Sequence, residues 1–587
     1  MLIDSLREAG IDVESICGGK GLCRKCRVIV SRGRITPVSA DYQKRFTGEE
    51  IAEGYVLACR VQVHEDCEIT IPVESRIDTP QILLALHPPE TEVQPAVRTY
   101  AVQHIRSYLP FETGSVTLSG YQGPRPRMSE ELYRQIAGEN DLVARVSVTG
   151  DVPEVIAVEK GEERSPPYGL AVDLGTTTIV CLLVDLESGD IVAADSDMNR
   201  QITYGEEVIT RIAYAAQSGG RERLAGVAID SINTILGRLE EQSGIPSTGI
   251  MDLCVGGNTV MDYLLVGIDP TPLELAHAPV SRAPLLARAG TLGLHTNPNA
   301  GVYCLPNVSR FLGGDAVGDV ITAGMHRKKD ISLLIDLGTN GEIVLGNEDW
   351  LASTSCASGP AFEGGGILHG MRAMRGAIDH VEIDPKSGTR NFTVIGHVLP
   401  RGICGSGILD LVCALFRNGI LDFTGRLVPG SAGVREGRRG PEFLIVPGAG
   451  TQTGKDIVLT QEDMAYIMDS KAAVCSAVSV LMKKYRICLG DVRQVYLAGA
   501  FGTYVDPAVL MKFGIIPAFS SAEFHPIGNG SLSGAYAALI SVKQRKAAEE
   551  VARKMVYIDL LTDLDFIEEY TAALYIPGKK ELFPGQP

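Results

Sequence analysis

The sequence predicts a multidomain chain that mixes α/β and α+β units, and three observations lead there. A strand–turn–strand frame around Asp-Leu-Gly-Thr occurs twice, as "YGLAVDLGTTTIVCLLVDL" from Tyr168 and "DISLLIDLGTNGEIVLG" from Asp330. A glycine-rich loop with three cysteines, "CGGKGLCRKC" (residues 17–26), stands near the N-terminus, and short alternating strands follow it. Between them "ALHPPETEVQPAV" (85–97) is rich in Pro and Glu and reads as a boundary. At 587 residues the chain is long enough for several domains. These signals divide it into 1–80, a linker 81–97, a small α+β unit 98–165 and a large unit 166–587.

Bulk properties narrow the function. A net charge of −17 disfavours a nucleic-acid backbone or an anionic membrane as the main partner. The opening "MLIDSLREAG" carries Asp4, Arg7 and Glu8 and lacks the apolar core of a signal peptide. The most apolar stretch, from Tyr168, is interrupted by Asp173 and Asp185, so no membrane span is expected. The expected setting is the cytoplasm, where thiols stay reduced, and thirteen cysteines in this length are not a disulfide framework.

Cys17, Cys23 and Cys26 share one loop, and Cys59 follows 33 positions later in "YVLACRVQV". Three ligands on a loop and a fourth far along is the plant-type [2Fe–2S] layout, here with a first gap of five residues. Zinc, the alternative, is usually held by cysteines paired two and two. Glycines at 18, 19 and 21 let backbone N–H groups turn toward the sulfurs. "CRVIVSRGRITPV" reads as a hairpin, and "LACRVQV" and "CEITIPV" as later strands; Cys67 reads as a strand residue and not a ligand. A β-grasp ferredoxin opens with two strands before the helix that precedes such a loop. This chain opens inside that helix, "LIDSLREAGI", so the first hairpin is expected to be missing or to lie upstream. Further on, "SEELYRQIAG" is expected as a short helix capped by Ser129, with strands at "ARVSVTG" and "EVIAVEKG" in a small α+β spacer.

The repeated turn points to phosphate. Asp173 and Asp336 lie 163 residues apart in the same frame, and two copies are far more telling than one. Gly175, Gly338 and Gly341 let backbone N–H groups approach an anion, while Thr176, Thr177, Thr178, Thr339 and Asn340 add donors. An Asp at each strand end would hold Mg²⁺ through water, and two facing loops would clamp a polyphosphate. The alternative is two structural hairpins from an old duplication. In "QVYLAGAFGTYVDP", Gly499 and Gly502 would let a base or ribose lie close to backbone, and "GICGSGILDLVCALF" (402–416) suits a link between two lobes. There is no Walker A: around "GTQTGKD" (450–456), Ala449 stands where glycine is required and Asp456 where Ser or Thr is required.

Together "DLGTTT", "DLGTNG", "GICGSG" and "AGAFG" resemble the phosphate, connecting and adenosine motifs of the acetate-kinase, sugar-kinase, Hsp70 and actin superfamily. That resemblance implies a two-lobed, ribonuclease H-like (ASKHA) ATPase that binds ATP and Mg²⁺. With the cysteine loop added, nearly the whole chain resembles the reductive activators of corrinoid proteins. The resemblance includes "TYGEEVITRI" (203–212), "CVGGNTVMDYLLVGI" (254–268), "LPNVSRFLGGDAVGD" (305–319) and "CASGPAFEGGGI" (356–367), with Ala500 a departure from a Gly-Gly-Phe-Gly-like turn.

The family resemblance implies one-electron reduction of Co(II) to Co(I) on a corrinoid protein, coupled to ATP hydrolysis. The partner would belong to a methyltransferase system or be a corrinoid iron–sulfur protein, an external donor would supply electrons, and the chain would form a homodimer. Plant-type clusters sit near about −400 mV. Pushing one electron uphill by about 150 mV costs roughly 3.5 kcal/mol. By the same resemblance Cys17, Cys23, Cys26 and Cys59 hold the cluster, while Asp173 and Asp336 organise Mg²⁺ and the attacking water. Gly175, Thr176, Thr177, Thr178, Gly338, Thr339, Asn340 and Gly341 cradle phosphate, and Gly499 and Gly502 admit adenosine. Glu342 and Glu363 are candidates to orient water, or else surface and salt-bridging carboxylates. Three other readings stay open: a small-molecule kinase with a redox sensor, a redox-regulated module whose ATP is structural, and the 2-hydroxyacyl-CoA dehydratase activator type. The last lacks a ferredoxin domain.

Overall fold

The structure is a computed structural model. It describes residues 1–8, 13, 26–38, 46, 48–72, 86–106, 115–136, 139, 141–150, 152–161, 165–205, 207–338, 340–384, 389–499, 502 and 505–585.

The N-terminal unit is small. Leu2, Ile3 and Leu6 of the helix Leu2–Glu8 are buried against Val28, Leu57 and Val61. Strand β1 (Arg27–Arg32) pairs antiparallel with β3 (Tyr55–Leu57) and β5 (Glu68–Thr70), while β2 (Ile35–Pro37) pairs with β4 (Val61–Val63). The expected hairpin is therefore two strands with different partners. Gly33 at φ +110° and a register shift between Val30 and Arg32 swing β2 out of the first sheet. Cys59 sits on the 3₁₀ turn Ala58–Arg60, between β3 and β4.

The Pro- and Glu-rich stretch is strapped down. The Gln94 amide donates to Ile540 O (2.7 Å), the Val542 amide donates to Gln94 O (2.9 Å), and Gln544 Nε2 donates to Thr91 Oγ1 (2.8 Å). Beyond it, β6 (Val97–Arg106), β7 (Ser115–Leu118), β8 (Arg127–Met128), β9 (Leu142–Ser147) and β10 (Glu154–Lys160) close into a barrel in the order β10-β8-β7-β6-β9. Among the described residues its one short helix, Glu130–Ile136, starts where Ser129 Oγ accepts the Leu132 amide (3.3 Å), as the sequence suggests.

Two six-stranded sheets carry the rest. The first contains β11 (Tyr168–Leu174), β12 (Thr178–Asp185), β13 (Ile191–Met198), β14 (Ile250–Gly257), β15 (Leu285–Arg288) and β16 (Gly301–Cys304), in the order β13-β12-β11-β14-β16-β15. In the second, β17 (Ile331–Leu337), β18 (Gly341–Gly346) and β19 (Leu351–Cys356) come before two small three-stranded sheets. Those are β20 (Ala377–Ile383), β21 (Arg390–Val394) and β22 (Gly402–Ile403), then β23 (Val434–Gly437), β24 (Gly440–Val446) and β25 (Ile457–Thr460). The chain returns through β26 (Val492–Ala498), β27 (Glu523–Gly528) and β28 (Met555–Tyr557), giving the order β27-β26-β17-β18-β19-β28.

The sheets are built alike. Strand β11 pairs antiparallel with β12 and parallel with β14; β17 pairs antiparallel with β18 and parallel with β26. Their central strands are apolar on both faces because both faces are covered. Leu170 and Val172 face an outer core that includes residues of the helix Gly220–Ser243, while Ala171 faces an inner core shared with Leu334 of the second sheet. That inner core is filled by the helices Gly314–Ala323 and Gly530–Ile540, which cross so closely that a Cβ on Gly534 would collide with the Gly318 backbone. The helix Gln461–Tyr485 is long and apolar enough to cross a membrane, but it is packed inside the outer core of the second sheet.

Candidate functional site

Of the four expected cluster ligands, Cys17 and Cys23 lie outside the described residues. Cys26, just ahead of β1, and Cys59 are both buried, and their sulfurs stand 3.3 Å apart without a disulfide. Two thiolates bound tetrahedrally at ~2.3 Å to one metal ion stand about 3.8 Å apart, so a small outward shift of this pair would let both sulfurs share one iron. Cys67 points elsewhere: its thiol donates to Glu65 O (3.3 Å), and burial with nearby Glu65 and Asp66 pushes it up, away from the thiolate a ligand needs. Arg27, next to Cys26, stacks over Phe46 and Tyr55 at 5.4 and 4.9 Å, and Lys455 lies 5.4 Å from the Tyr55 ring centre. The "GTQTGKD" segment, no phosphate loop, therefore touches the cysteine unit.

Between the two sheets lies a cleft of about 330 Å³. Its lining includes Asp173, Gly175, Thr176, Thr177 and Thr178 from the first turn and Asp336, Gly338, Asn340 and Glu342 from the second, with Glu363 and Gly499. Both turns sit at the ends of their sheets because each follows the C-terminal end of a central strand. Gly341 and Gly502 pack behind this surface: a Cβ on the first would lie 2.8 Å from Cys356 Sγ, and on the second 2.8 Å from Leu497 C. Thr339 lies outside the described residues.

The first turn is held from behind. Asn199 Nδ2 donates to Gly175 O (2.9 Å), the Asn199 amide donates to Thr177 O (2.9 Å), and buried Arg211 donates to Thr176 O. Gly175 must lack a Cβ, which would meet Thr178 O at 2.5 Å. In the second turn Ser358 Oγ donates to Gly338 O (3.1 Å). Gly499 has φ +80° and lies so near Asp336 that a Cβ would reach 2.6 Å from its Oδ1.

Electrostatics separate the two aspartates. Asp173 accepts from Asn529 Nδ2 (2.8 Å) and Ser531 Oγ (2.9 Å) at the start of the helix Gly530–Ile540. Burial raises its carboxyl, and these two donors oppose the rise. Asp336 pairs in register with Glu342 across β17 and β18 and also faces Asp319. Burial and the charges of Asp315, Asp173 and Glu363 push Asp336 up to about 7, against a bond from Asp319. Burial and Asp173 raise Asp315 to about 6, although the Ala316 and Gly313 amides donate to it. Asp319 and Glu342 are driven up well beyond the ordinary carboxylate range by burial and each other's neighbours. Asp319 is fully buried and no N–H or hydroxyl donates to either oxygen, so its surroundings favour the protonated form.

This acid array suits a divalent cation held through water. Among the described residues no three His, Cys, Asp or Glu converge as direct ligands, and Asp173 and Asp336 flank the cleft on opposite sides. Sequence reasoning assigned no role to Asp315 and Asp319, in "LGGDAVGD", or to Asn529 and Ser531, in "GNGSLSG". The signal for the second pair was a run of small polar residues directly after a strand, where a helix N-terminus meets a ligand.

Comparison with known proteins covers nearly the whole chain. Residues 1–64 match the model of the 2Fe-2S iron-sulfur cluster binding domain, 168–328 the RACo middle region, and 330–586 the C-terminal domain of RACo, the ASKHA domain. The corrinoid activation enzyme RamQ of Eubacterium limosum is 31% identical over 97% of this chain and 95% of its own length. The [Co(II) methylated amine-specific corrinoid protein] reductase of Methanosarcina barkeri is 24% identical over 66% of this chain and 73% of its own. A solved structure of a reductive activator for corrinoid, iron-sulfur protein superposes with a TM-score of 0.74 at 33% identity, covering 99% of this chain and 96% of that one.

Proposed function

This chain belongs to the family of corrinoid reductive activators, and from that premise we propose how its parts divide the work. It reduces the Co(II) of a corrinoid protein to Co(I) by one electron, and ATP hydrolysis drives the step. The observation that carries this reading is the presence in one chain of a buried cysteine pair 3.3 Å apart and a cleft with two facing aspartate turns. Residues 1–80 form the electron-carrying unit, 81–97 the strap, 98–165 a spacer and 166–587 the two-lobed ATPase. A cytoplasmic setting keeps the thiols reduced. An external donor supplies the electron, and two copies act as a homodimer.

When bound, the [2Fe–2S] cluster supplies a one-electron carrier of low potential. Cys26 and Cys59 would hold one of its irons, with Cys17 and Cys23 as the other two ligands. In the cleft, Asn529 and Ser531 donate to Asp173 and favour its ionised form against burial, and it would hold a water of Mg²⁺. Gly175 and Gly338 keep their turns open to phosphate, and Gly499 admits the nucleoside. The Asp319–Asp336 pair takes the proton that the attacking water gives up. Closing the lobes excludes bulk water.

Nucleotide binding reaches the strap ahead of the spacer along a short path. Asn529 grips Asp173 and caps the helix Gly530–Ile540, and the end of that helix is bonded to the strap through Gln94. ATP can shift the grip on the corrinoid partner only by the difference in its affinity for the open and closed forms. The test is anaerobic: the protein with reductant and a Co(II) corrinoid protein, followed by visible absorbance. Co(I) should accumulate on adding Mg-ATP and not with ADP. Equal accumulation without nucleotide would remove ATP from the reaction.

A further inference from the structure

Five acidic side chains line the described cleft, Asp173, Asp315, Asp336, Glu342 and Glu363, against a single basic one, Arg372. An arginine among so many carboxylates ordinarily pairs with one of them. Arg372 does not: among the described residues it has no hydrogen-bond or ion-pair partner. Its backbone is nevertheless fixed. The preceding Met371 amide donates to Ile403 O (2.9 Å), and Met371 packs so tightly on Gly364 that a Cβ there would collide with it. Gly364 follows Glu363, whose Oε1 lies 3.5 Å from where a Cβ on Gly338 would stand. The segment that carries Arg372 is thus clamped beside the second phosphate turn, on the opposite lobe from Asp173.

We propose that Arg372 is a catalytic residue, whose guanidinium contacts the terminal phosphate of ATP and stabilises charge as that phosphate leaves. The proposal rests on the cleft being the ATP site. In the step, a water oxygen bonds to the terminal phosphorus and the bond from that phosphorus to the β-phosphate oxygen breaks. The electron pair stays on the leaving ADP oxygen, and the water's proton passes to the Asp319–Asp336 pair. Charge then spreads over the equatorial and leaving oxygens, where a planar, permanently charged fork acts without giving up a proton. The surrounding carboxylates would repel a bare polyphosphate, so a cation without an internal partner is what the site needs besides Mg²⁺.

Single-turnover and steady-state ATP hydrolysis by full-length, cluster-loaded protein tests this with Arg372→Ala and Arg372→Lys. Removing one cationic donor to a developing oxyanion should lower kcat about 10²–10³-fold. ADP binding should stay unchanged, millimolar guanidinium should restore part of the Arg372→Ala rate, and the lysine variant should fall between. Wild-type kcat in Arg372→Ala would overturn the proposal. So would equal losses of ADP and ATP affinity with kcat retained, or a slow variant with a lowered Tm that guanidinium leaves slow. A wild-type protein that does not hydrolyse ATP at all would instead overturn the ATP reading of the cleft.

Discussion

The two Asp-Leu-Gly-Thr turns share a sequence and a strand frame, yet their carboxylates keep different company. Asp173 lies opposite Val180 in its sheet and is held by an amide and a hydroxyl, Asn529 and Ser531. Asp336 lies opposite Glu342 and faces Asp319, so most of what surrounds it is acid. The turn places a carboxylate at the end of a central strand, but neighbours from elsewhere in the chain decide its charge. On the proposed reading, the aspartate with two donors holds a cation's water and the one among acids exchanges a proton.

The contrast is broken most severely by removing the aspartate proposed to hold the cation. Asp173→Ala should lower ATP hydrolysis on the order of 10³-fold, since it removes the charge that positions the metal and leaves two donors unpaired. The visible spectrum of the cysteine unit should be unchanged. The reciprocal variant, Cys59→Ser, should abolish Co(I) formation while ADP binding, followed by calorimetry, is retained. A shared loss in both variants would mean that the two units do not fold apart.

A smaller effect sharpens the contrast. Asp336→Asn relieves a like-charge cluster, so the nucleotide-free protein should gain on the order of 1–2 kcal/mol at pH 8 while kcat falls. Asp173→Asn should gain less, because Asn529 and Ser531 already offset part of the cost of burying its charge. Urea unfolding of both variants reads the difference directly. Equal gains would erase the distinction between the turns.

The same cluster sets a pH dependence. Folded Asp336 ionises near 7 and Asp315 near 6, both above the ordinary unfolded value of about 4. The folded chain therefore binds more protons than the unfolded one in that window. The contribution of these groups is fully present below pH about 4 and is lost as pH rises through 6 and 7. Thermal scans of metal-free protein should show Tm falling over that range through this term, and Mg²⁺ with ADP should recover it. The smallest effect is expected at the strap: Gln94→Pro removes the amide that donates to Ile540 O and should lower Co(I) yield per ATP without changing hydrolysis.

Much of this was legible because it is local. Strands β11 and β17 are apolar on both faces, and that pattern together with the glycines after each aspartate marks a covered strand entering a tight turn. Cys26 and Cys59 were legible from spacing alone. Asn529 was not, since it meets Asp173 across 356 residues and only the packing of the helix Gly530–Ile540 on β11 brings it there. Asp319 sits in a helix whose sequence looks ordinarily amphipathic, and its burial depends on the opposite sheet. The hairpin expected at Gly33 failed because alternation shows a strand but not its partner. The spacer's closure into a barrel was hidden for the same reason, and the Pro- and Glu-rich linker gave no sign that it would be strapped to a helix end.

The most direct test follows phosphate release and Co(I) absorbance in one anaerobic single-turnover sample. The account predicts that wild-type protein forms Co(I) only as phosphate appears, and that Asp173→Ala shows neither signal. Co(I) formed by Asp173→Ala at the wild-type rate would contradict it.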